Sequence, residues 1–562
     1  MKREWNLRNA RLDLLALLWL CAGLSVAPQV CEGSAPHVAF GTRGAVVAND
    51  PLAVNAGMKV LQEGGNAFDA AVAVGAAINV VEPDNSHLGG HALIMLYHAA
   101  SGKVMAINGT GPAPRKAKLE DFVPEGVPQR GMAAALVPGE IDAYVLMLEE
   151  YGTMSLRQVL QPAIELAERM PVAPWFARRV KSYVGFESVF PRSVASFLAG
   201  AGGQPPGVGA SFSQPDLART LRHLAEGGRD RFYRGKIAAA ILAESQRGDG
   251  YFTEEDFREY PARLMEPIAT TYRGYTVYEQ PLVSQGFLLL EALNIAEGYD
   301  LPQMGPRSVD GIHVLVESMK LAFADRYAFA GDPDFVDVPM EHLLSKEYAQ
   351  KRRADISMHS TLGGIPAGQS KKRGGDTTTY AVADGEGNLV SVVQSLWNGF
   401  GAAVIPEGTG IFLNNRMTDF SLDPHSPNVL AGGKRPLFTL NSFILVEDGE
   451  PILVGGTPGD YGQVQWNLQV ITNMIDGNMT AAAAVAEPRW RYHGPKLRSK
   501  EARLAMEEGT PAEVVRGLAA RGQPVQVGGW AGNFSLIRIY PDSGVLEAIG
   551  DSRTEGRSVG AW

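Results

Sequence analysis

The chain has 562 residues, 45% apolar and 20% charged, which suits a folded protein with a large core rather than a disordered or membrane one. Its net charge is −10 and no basic stripe runs through it, so no nucleic-acid partner is expected. The only two cysteines, Cys21 and Cys31, lie in or beside an N-terminal leader, which excludes a disulfide framework or a thiolate metal site from the rest.

That leader opens the chain. Lys2, Arg3, Arg8 and Arg11 precede the apolar run 14–24, a basic n-region and an h-region of signal-peptide length. Residues 1–35 are expected to be removed or to stay as an uncleaved membrane anchor, so the protein is expected to be exported, periplasmic or secreted. Asn66-Ala67-Phe68-Asp69 then opens an Ala/Val-rich run to Val81, stopped by Glu82-Pro83, which predicts a buried helix. His87-Leu88-Gly89-Gly90-His91 has metal-like spacing, but its glycines argue for a turn, and no metal is expected. Helices are predicted over 154–168 and 312–330, the second from Ile312, Leu315, Val316, Met319 and Phe323 at helical spacing. The stretches 200–209 and 363–375 read as exposed loops. Three hairpin-like units follow, at 378–395, 442–456 and 534–549, with a helix over 466–475 before the last. The sum is one layered α+β or α/β unit with central antiparallel sheets and outer helices.

The first hairpin carries the chemistry. Gly374-Gly375-Asp376-Thr377-Thr378-Thr379-Tyr380 follows a basic, Gly-rich loop containing Lys371, Lys372 and Arg373. Cutting between Asp376 and Thr377 would make Thr377 an N-terminus, with its hydroxyl as nucleophile and its own amine as base. The turn 384–388 is centred on Glu386. Symmetric pairing about that centre places Thr377 opposite Ser395, where facing Cβ atoms stand about 4.5–5.5 Å apart. A one-residue slip would remove the pairing. The same segment also reads as a Thr-rich strand without chemistry.

These residues, with the motifs around them, resemble the γ-glutamyltransferase (glutathione hydrolase) family of N-terminal-nucleophile hydrolases. The resemblance runs through Leu61-Gln62-Glu63-Gly64-Gly65-Asn66-Ala67-Phe68-Asp69, Val137-Pro138-Gly139, Ser284-Gln285-Gly286 and Glu317-Ser318-Met319-Lys320. It continues through Leu413-Asn414-Asn415-Arg416-Met417, Lys434-Arg435-Pro436 and Gly456-Thr457-Pro458-Gly459. It implies a four-layer αββα sandwich made as a self-cleaving proenzyme. The large subunit would span 36–376 and the small subunit 377–562, starting at a catalytic Thr377. Ser395 matches the family's hydroxyl residue beside the nucleophile, and the backbone N–H groups of Gly459 and Asp460 match its oxyanion donors. Asn415, Arg416, Asp419, Thr439, Asn398 and Thr110 fall at positions around the substrate, with Asp419 as partner of an α-amino group. No cofactor is implied. The partners implied are a small amide, water or an amine acceptor, and the two subunits of the same precursor.

The pattern also breaks. Thr110 stands where the family holds the substrate's α-carboxylate with Arg, leaving Arg115 or Arg416 to compensate. Trp397 and Phe438 replace polar residues, Asp460 replaces Gly, and the short loop 420–434 suggests no lid. These departures resemble the acylase-like branch, with its cephalosporin-type acylases and small amidohydrolases. The sequence thus predicts a threonine amide hydrolase or acyltransferase acting on γ-glutamyl amides such as glutathione, or an acylase without that specificity. A catalytically dead binding protein is a third reading, opposed by the retained Thr377, Ser395, Asn415, Asp419 and Gly459.

Overall fold

The computed structural model describes residues 35–363, 376–494 and 502–562. The leader with its cysteines and the basic loop residues 371–373 lie outside the described residues.

Two seven-stranded antiparallel sheets stack face to face. One runs, in spatial order, Ser558–Ala561, Gly44–Ala48, Asp376–Asp384, Leu389–Trp397, His91–His98, Lys103–Gly109 and Arg263–Met265. The other runs His37–Gly41, Val545–Gly550, Ser535–Tyr540, Glu450–Gly456, Phe443–Glu447, Tyr275–Glu279 and Ile268–Tyr272. Alternation sorts the side chains. Ala381, Ala383 and Leu389 pack between the sheets with Ile444, Val454 and Ala548, while Tyr380, Val382, Val390 and Val392 join the helices on the outside. A third core covers the far face of the second sheet, under helices Phe287–Ala296, Val309–Phe329 and Gln463–Ile475. Helix, sheet, sheet and helix make the four-layer αββα sandwich.

The central helix Ala67–Val81 is buried along its whole length, because its small residues let it lie close on the sheet. Asn66 and Asp69 close its N-terminus with a capping box. Gly75 is where the helix touches the hairpin: a Cβ there would meet the Tyr144 hydroxyl at 2.1 Å and the Tyr380 hydroxyl at 2.4 Å. Asp384 welds helix to hairpin. Its Oδ2 accepts the Ala67 N–H at 2.9 Å, and its Oδ1 accepts the N–H groups of Glu386 and Asn388 at 2.9 and 3.0 Å. The other expected helices are Leu156–Glu168, Val309–Phe329 and Gln463–Ile475, and the other two hairpins turn at Asp448-Gly449 and Asp542-Ser543-Gly544.

Candidate active site

From Thr378 to Ala383 the hairpin has the register expected from its turn; the expected ladder pair of Thr377 with Ser395 does not form. Thr378 faces Gln394 and Ala383 faces Leu389, symmetric about Glu386. The register shifts between Asp376 and Thr378, with Asp376 paired to Trp397, so a bulge falls at Thr377. Bulges re-aim a side chain at the end of a ladder. Here the Thr377 hydroxyl donates to Ser395 Oγ at 3.1 Å, and both residues are buried. Ser395 Oγ also accepts the Trp397 N–H at 2.8 Å. Trp397 needs φ +90° to make that contact, a value costly for a residue with a Cβ.

The strand Glu450–Gly456 of the second sheet leads into Thr457-Pro458-Gly459-Asp460. Gly459 has φ +131°, and a Cβ there would sit 2.2 Å from the Trp466 ring, so glycine is required. Asp460 has φ +59°. Its carboxylate turns to Arg491, whose Nη2 lies 3.1 Å from Oδ2. The charge that could oppose an oxyanion is thereby held by a cation, while the residue keeps its backbone N–H. Burial raises the Asp460 carboxyl against the pull of Arg491. Gln285 ties this loop to its neighbour, donating from Nε2 to the carbonyls of Thr439 and Asp460 at 2.8 and 3.1 Å.

Beside Trp397 lies a buried ion pair. Arg416 Nη1 donates to Asp419 Oδ2 at 2.9 Å, three residues along one turn. The guanidinium lies over the rings of Trp397, at 4.5 Å, and Phe438, at 4.9 Å. Burial lowers the Arg416 pKa, while the same burial raises Asp419 to about 6, outweighing the attraction of Arg416.

Several sequence expectations change here. Thr110 does not offer a free hydroxyl: it is buried and its Oγ1 donates to Asn108 Oδ1 at 2.6 Å. Arg115 does not take over the missing arginine's place, because it is half exposed and pairs with Glu259 at 2.6 Å. Asp419, expected as the partner of an α-amino group, turns one oxygen, Oδ2, to Arg416. Asn415 spends its side chain on backbone, accepting the Asn398 N–H at 3.1 Å and donating to the Gln129 carbonyl at 2.8 Å. Asn398 lines a cavity with Gln129, Arg130, Arg179 and Phe400. Thr439 is buried with no partner for Oγ1 among the described residues. His87 and His91 act as backbone acceptors, taking the N–H groups of Phe412 at 3.3 Å and Gly111 at 3.0 Å through Nδ1. Sequence reading missed the Trp397–Arg416–Phe438 stack and Arg491. The Arg-x-x-Asp spacing at 416–419 was a visible signal for the first; nothing local marks the second.

Two stacked antiparallel sheets between helical layers, with a hydroxyl pair at the bulged end of a central hairpin, define the class of N-terminal-nucleophile hydrolases. The family model described as gamma-glutamyltranspeptidase matches residues 53–561, and the chain belongs to that enzyme family. The glutathione hydrolase-like YwrD proenzyme of Bacillus subtilis is 37% identical over 93% of this chain and 99% of its own. The glutathione hydrolase proenzyme of Escherichia coli is 36% identical over 97% of each chain. The solved structure of cephalosporin acylase from Bacillus halodurans superposes with a TM-score of 0.85 at 35% identity, covering 94% of this chain and 97% of that one.

Proposed function

We propose that this chain is a self-processing threonine amide hydrolase whose nucleophile is Thr377, and that it sits nearer the acylases than the γ-glutamyl transferases. The observation that carries the reading is the 3.1 Å contact from the Thr377 hydroxyl to Ser395 Oγ, at a bulge on a buried central strand. Thr377 Oγ1 first attacks the Asp376 carbonyl carbon; the peptide bond breaks into an ester and the Thr377 amine is released. Water hydrolyses the ester, leaving chains that end at Asp376 and begin at Thr377. In turnover the free amine takes the hydroxyl proton, Oγ1 attacks the substrate amide, and the leaving amine departs protonated. Water then resolves the acyl-enzyme. The N–H groups of Gly459 and Asp460 serve the oxyanion in both steps. Ser395 positions Oγ1.

The acylase reading is supported by the aromatic pair Trp397 and Phe438 and by an Asp419 already committed to Arg416. The γ-glutamyl reading, with glutathione as substrate, is kept because the two relatives compared above carry glutathione hydrolase names. Export is proposed from the leader alone. Among the described residues no helix is long and apolar enough to cross a membrane.

The test is a denaturing gel with N-terminal sequencing. The purified protein is expected as two chains, the smaller starting at Thr377, and Thr377→Ala as one uncut chain. A cut elsewhere, or processing by the alanine variant, sinks the proposal.

A further inference from the structure

The two halves of the proposed site sit on different sheets. Thr377 and Ser395 lie at the end of a hairpin of the first, while Gly459 and Asp460 follow a strand of the second. A nucleophile and its oxyanion donors act together only at a fixed separation, and a misplacement of about 1 Å can cost on the order of 100-fold in rate. A chain of buried side chains spans the gap, and Asn49 is its middle link.

Asn49 follows the strand Gly44–Ala48, a neighbour of the strand that carries Thr377. Its Nδ2 donates to Thr378 Oγ1 at 3.2 Å and to Glu82 Oε2 at 3.3 Å. Its Oδ1 accepts from Asn533 Nδ2 at 2.9 Å. The Asn533 N–H in turn donates to Thr457 Oγ1 at 2.9 Å, just ahead of Gly459. All of these residues are buried. Gly532 lets the chain close, since a Cβ there would meet Thr457 Oγ1 at 2.5 Å. Glu82 sets the direction of the Asn49 amide: its carboxylate takes the Nδ2 side and leaves Oδ1 for Asn533. Glu82 Oε2 also accepts Asn85 Nδ2 at 2.8 Å, and the Asn85 carbonyl accepts the Leu396 N–H at 3.0 Å, next to Ser395. The strut thus reaches the chain neighbour of each hydroxyl and the root of the oxyanion loop. Two N–H groups and an oxygen must leave one short side chain at this position, and an asparagine amide supplies them. Asn49 and Glu82 precede the proposed cut while Thr378, Thr457 and Asn533 follow it, so the strut also joins the two processed chains.

We propose that Asn49 is a positioning residue that fixes the spacing between the Thr377 hydroxyl and the N–H groups of Gly459 and Asp460. It acts through Thr378 on one side and Asn533 on the other. The same donors serve chain cutting and turnover, so both steps depend on it. The inference rests on the reading of Thr377 as the nucleophile.

The experiment compares wild type with Asn49→Leu, Asn49→Asp, Thr378→Val and the pair Asn49→Leu with Thr378→Val, on γ-glutamyl and glutaryl p-nitroanilides. Leu keeps the branched shape of Asn without its hydrogen bonds. Asp keeps an acceptor for Asn533 but sets a second carboxylate, without an N–H, against Thr378 and Glu82. Asn49→Leu is expected to lower kcat by about 10- to 100-fold while KM stays within about twofold, and to lengthen the half-time of chain cutting by a similar factor. Asn49→Asp is expected to lose kcat in the same way. The double variant is expected to be no slower than Asn49→Leu alone, because both changes break one strut. Unchanged kcat in both Asn49 variants, a rise in KM at constant kcat, or losses that multiply in the double variant each overturn the proposal. Where a variant cuts too slowly to yield mature enzyme, the cutting half-time takes the place of kcat in the same comparison. Should Asn49→Leu fail to fold, Asn49→Asp, alone and with Thr378→Val, decides by the same criteria. A wild-type chain that stays uncut and inert toward both amides defeats the nucleophile reading instead, whereas normal cutting with indifferent Asn49 variants defeats the strut and leaves Thr377 standing.

Discussion

Ser395 and Thr377 share one hydrogen bond at the site, and that bond is directional. Removing the acceptor leaves the nucleophile in place but free to rotate. A single hydrogen bond contributes about 0.5–1.5 kcal/mol, which corresponds to roughly a 2- to 10-fold rate loss. Ser395→Ala is therefore expected to slow both chain cutting and turnover by about that factor, read from a maturation time course and from kcat. Complete loss of both would mean that Ser395 does more than position Oγ1. At this scale the sequence was readable wherever local geometry decides. Turn chemistry at 384–388 gave the pairing of 378 with 394, and Thr-Pro-Gly gave the loop at 457–459. It was not readable where a distant element supplies the partner. Asp460 looked like an electrostatic fault until Arg491, from another strand, turned its carboxylate aside. The pairing of Asp419 with Arg416 was not readable either, since it depends on both being buried together, which spacing suggests but does not establish.

The elements show the same division. Helix Ala67–Val81 was legible from Asn66 to Glu82 because its caps are written in adjacent residues. The stacking of the sheets was legible only through the family resemblance, since a strand's partner across the core leaves no mark in its own segment. The bulge at Thr377 was not legible, because it arises where the ladder ends against Trp397. Asp384 is the residue on which hairpin and helix agree. It accepts four hydrogen bonds, from Ala67 N, Glu386 N, Asn388 N and Asn388 Nδ2, and is buried. Asp384→Ala leaves those donors without an acceptor, at about 1–3 kcal/mol for each that stays buried. The variant is expected to lose several degrees in Tm and to mature slowly, because the strand that carries Thr377 runs directly from this turn. Calorimetry of the uncut Thr377→Ala background separates the two effects. An unchanged Tm there would show that the turn holds its shape without the carboxylate.

Across the whole molecule, buried ionisable groups set a window of pH in which the sandwich is most stable. His87 and His91 are fully buried, and burial pulls both down to about 3. The unfolded chain binds protons at these sites below about 6.5 while the folded one does not, so stability falls as pH drops from 6.5 toward 3. Glu140 acts on the opposite limb. It heads the helix Glu140–Tyr151, accepts from Asn79 Nδ2 at 2.5 Å and Ser86 Oγ at 3.0 Å, and is raised by burial to about 8. Between about 4.5 and 8 the folded state keeps a proton that the unfolded state has lost. Stability from this group is thus full below 4.5 and disappears as pH rises through 8, with a slope of up to about 1.4 kcal/mol per pH unit. Opposed limbs place the maximum in mildly acidic solution. Glu140→Gln keeps an acceptor for Asn79 and offers an N–H to the Ser86 hydroxyl, while carrying no charge at any pH. It is expected to flatten the alkaline limb and to raise Tm at pH 8 relative to wild type, with little change at pH 5. Thermal unfolding of the processed enzyme from pH 4 to 9 reads this directly. Parallel alkaline limbs for the two proteins would mean that Glu140 is already ionised in the fold, and that the Asn79 and Ser86 donors sustain the charge.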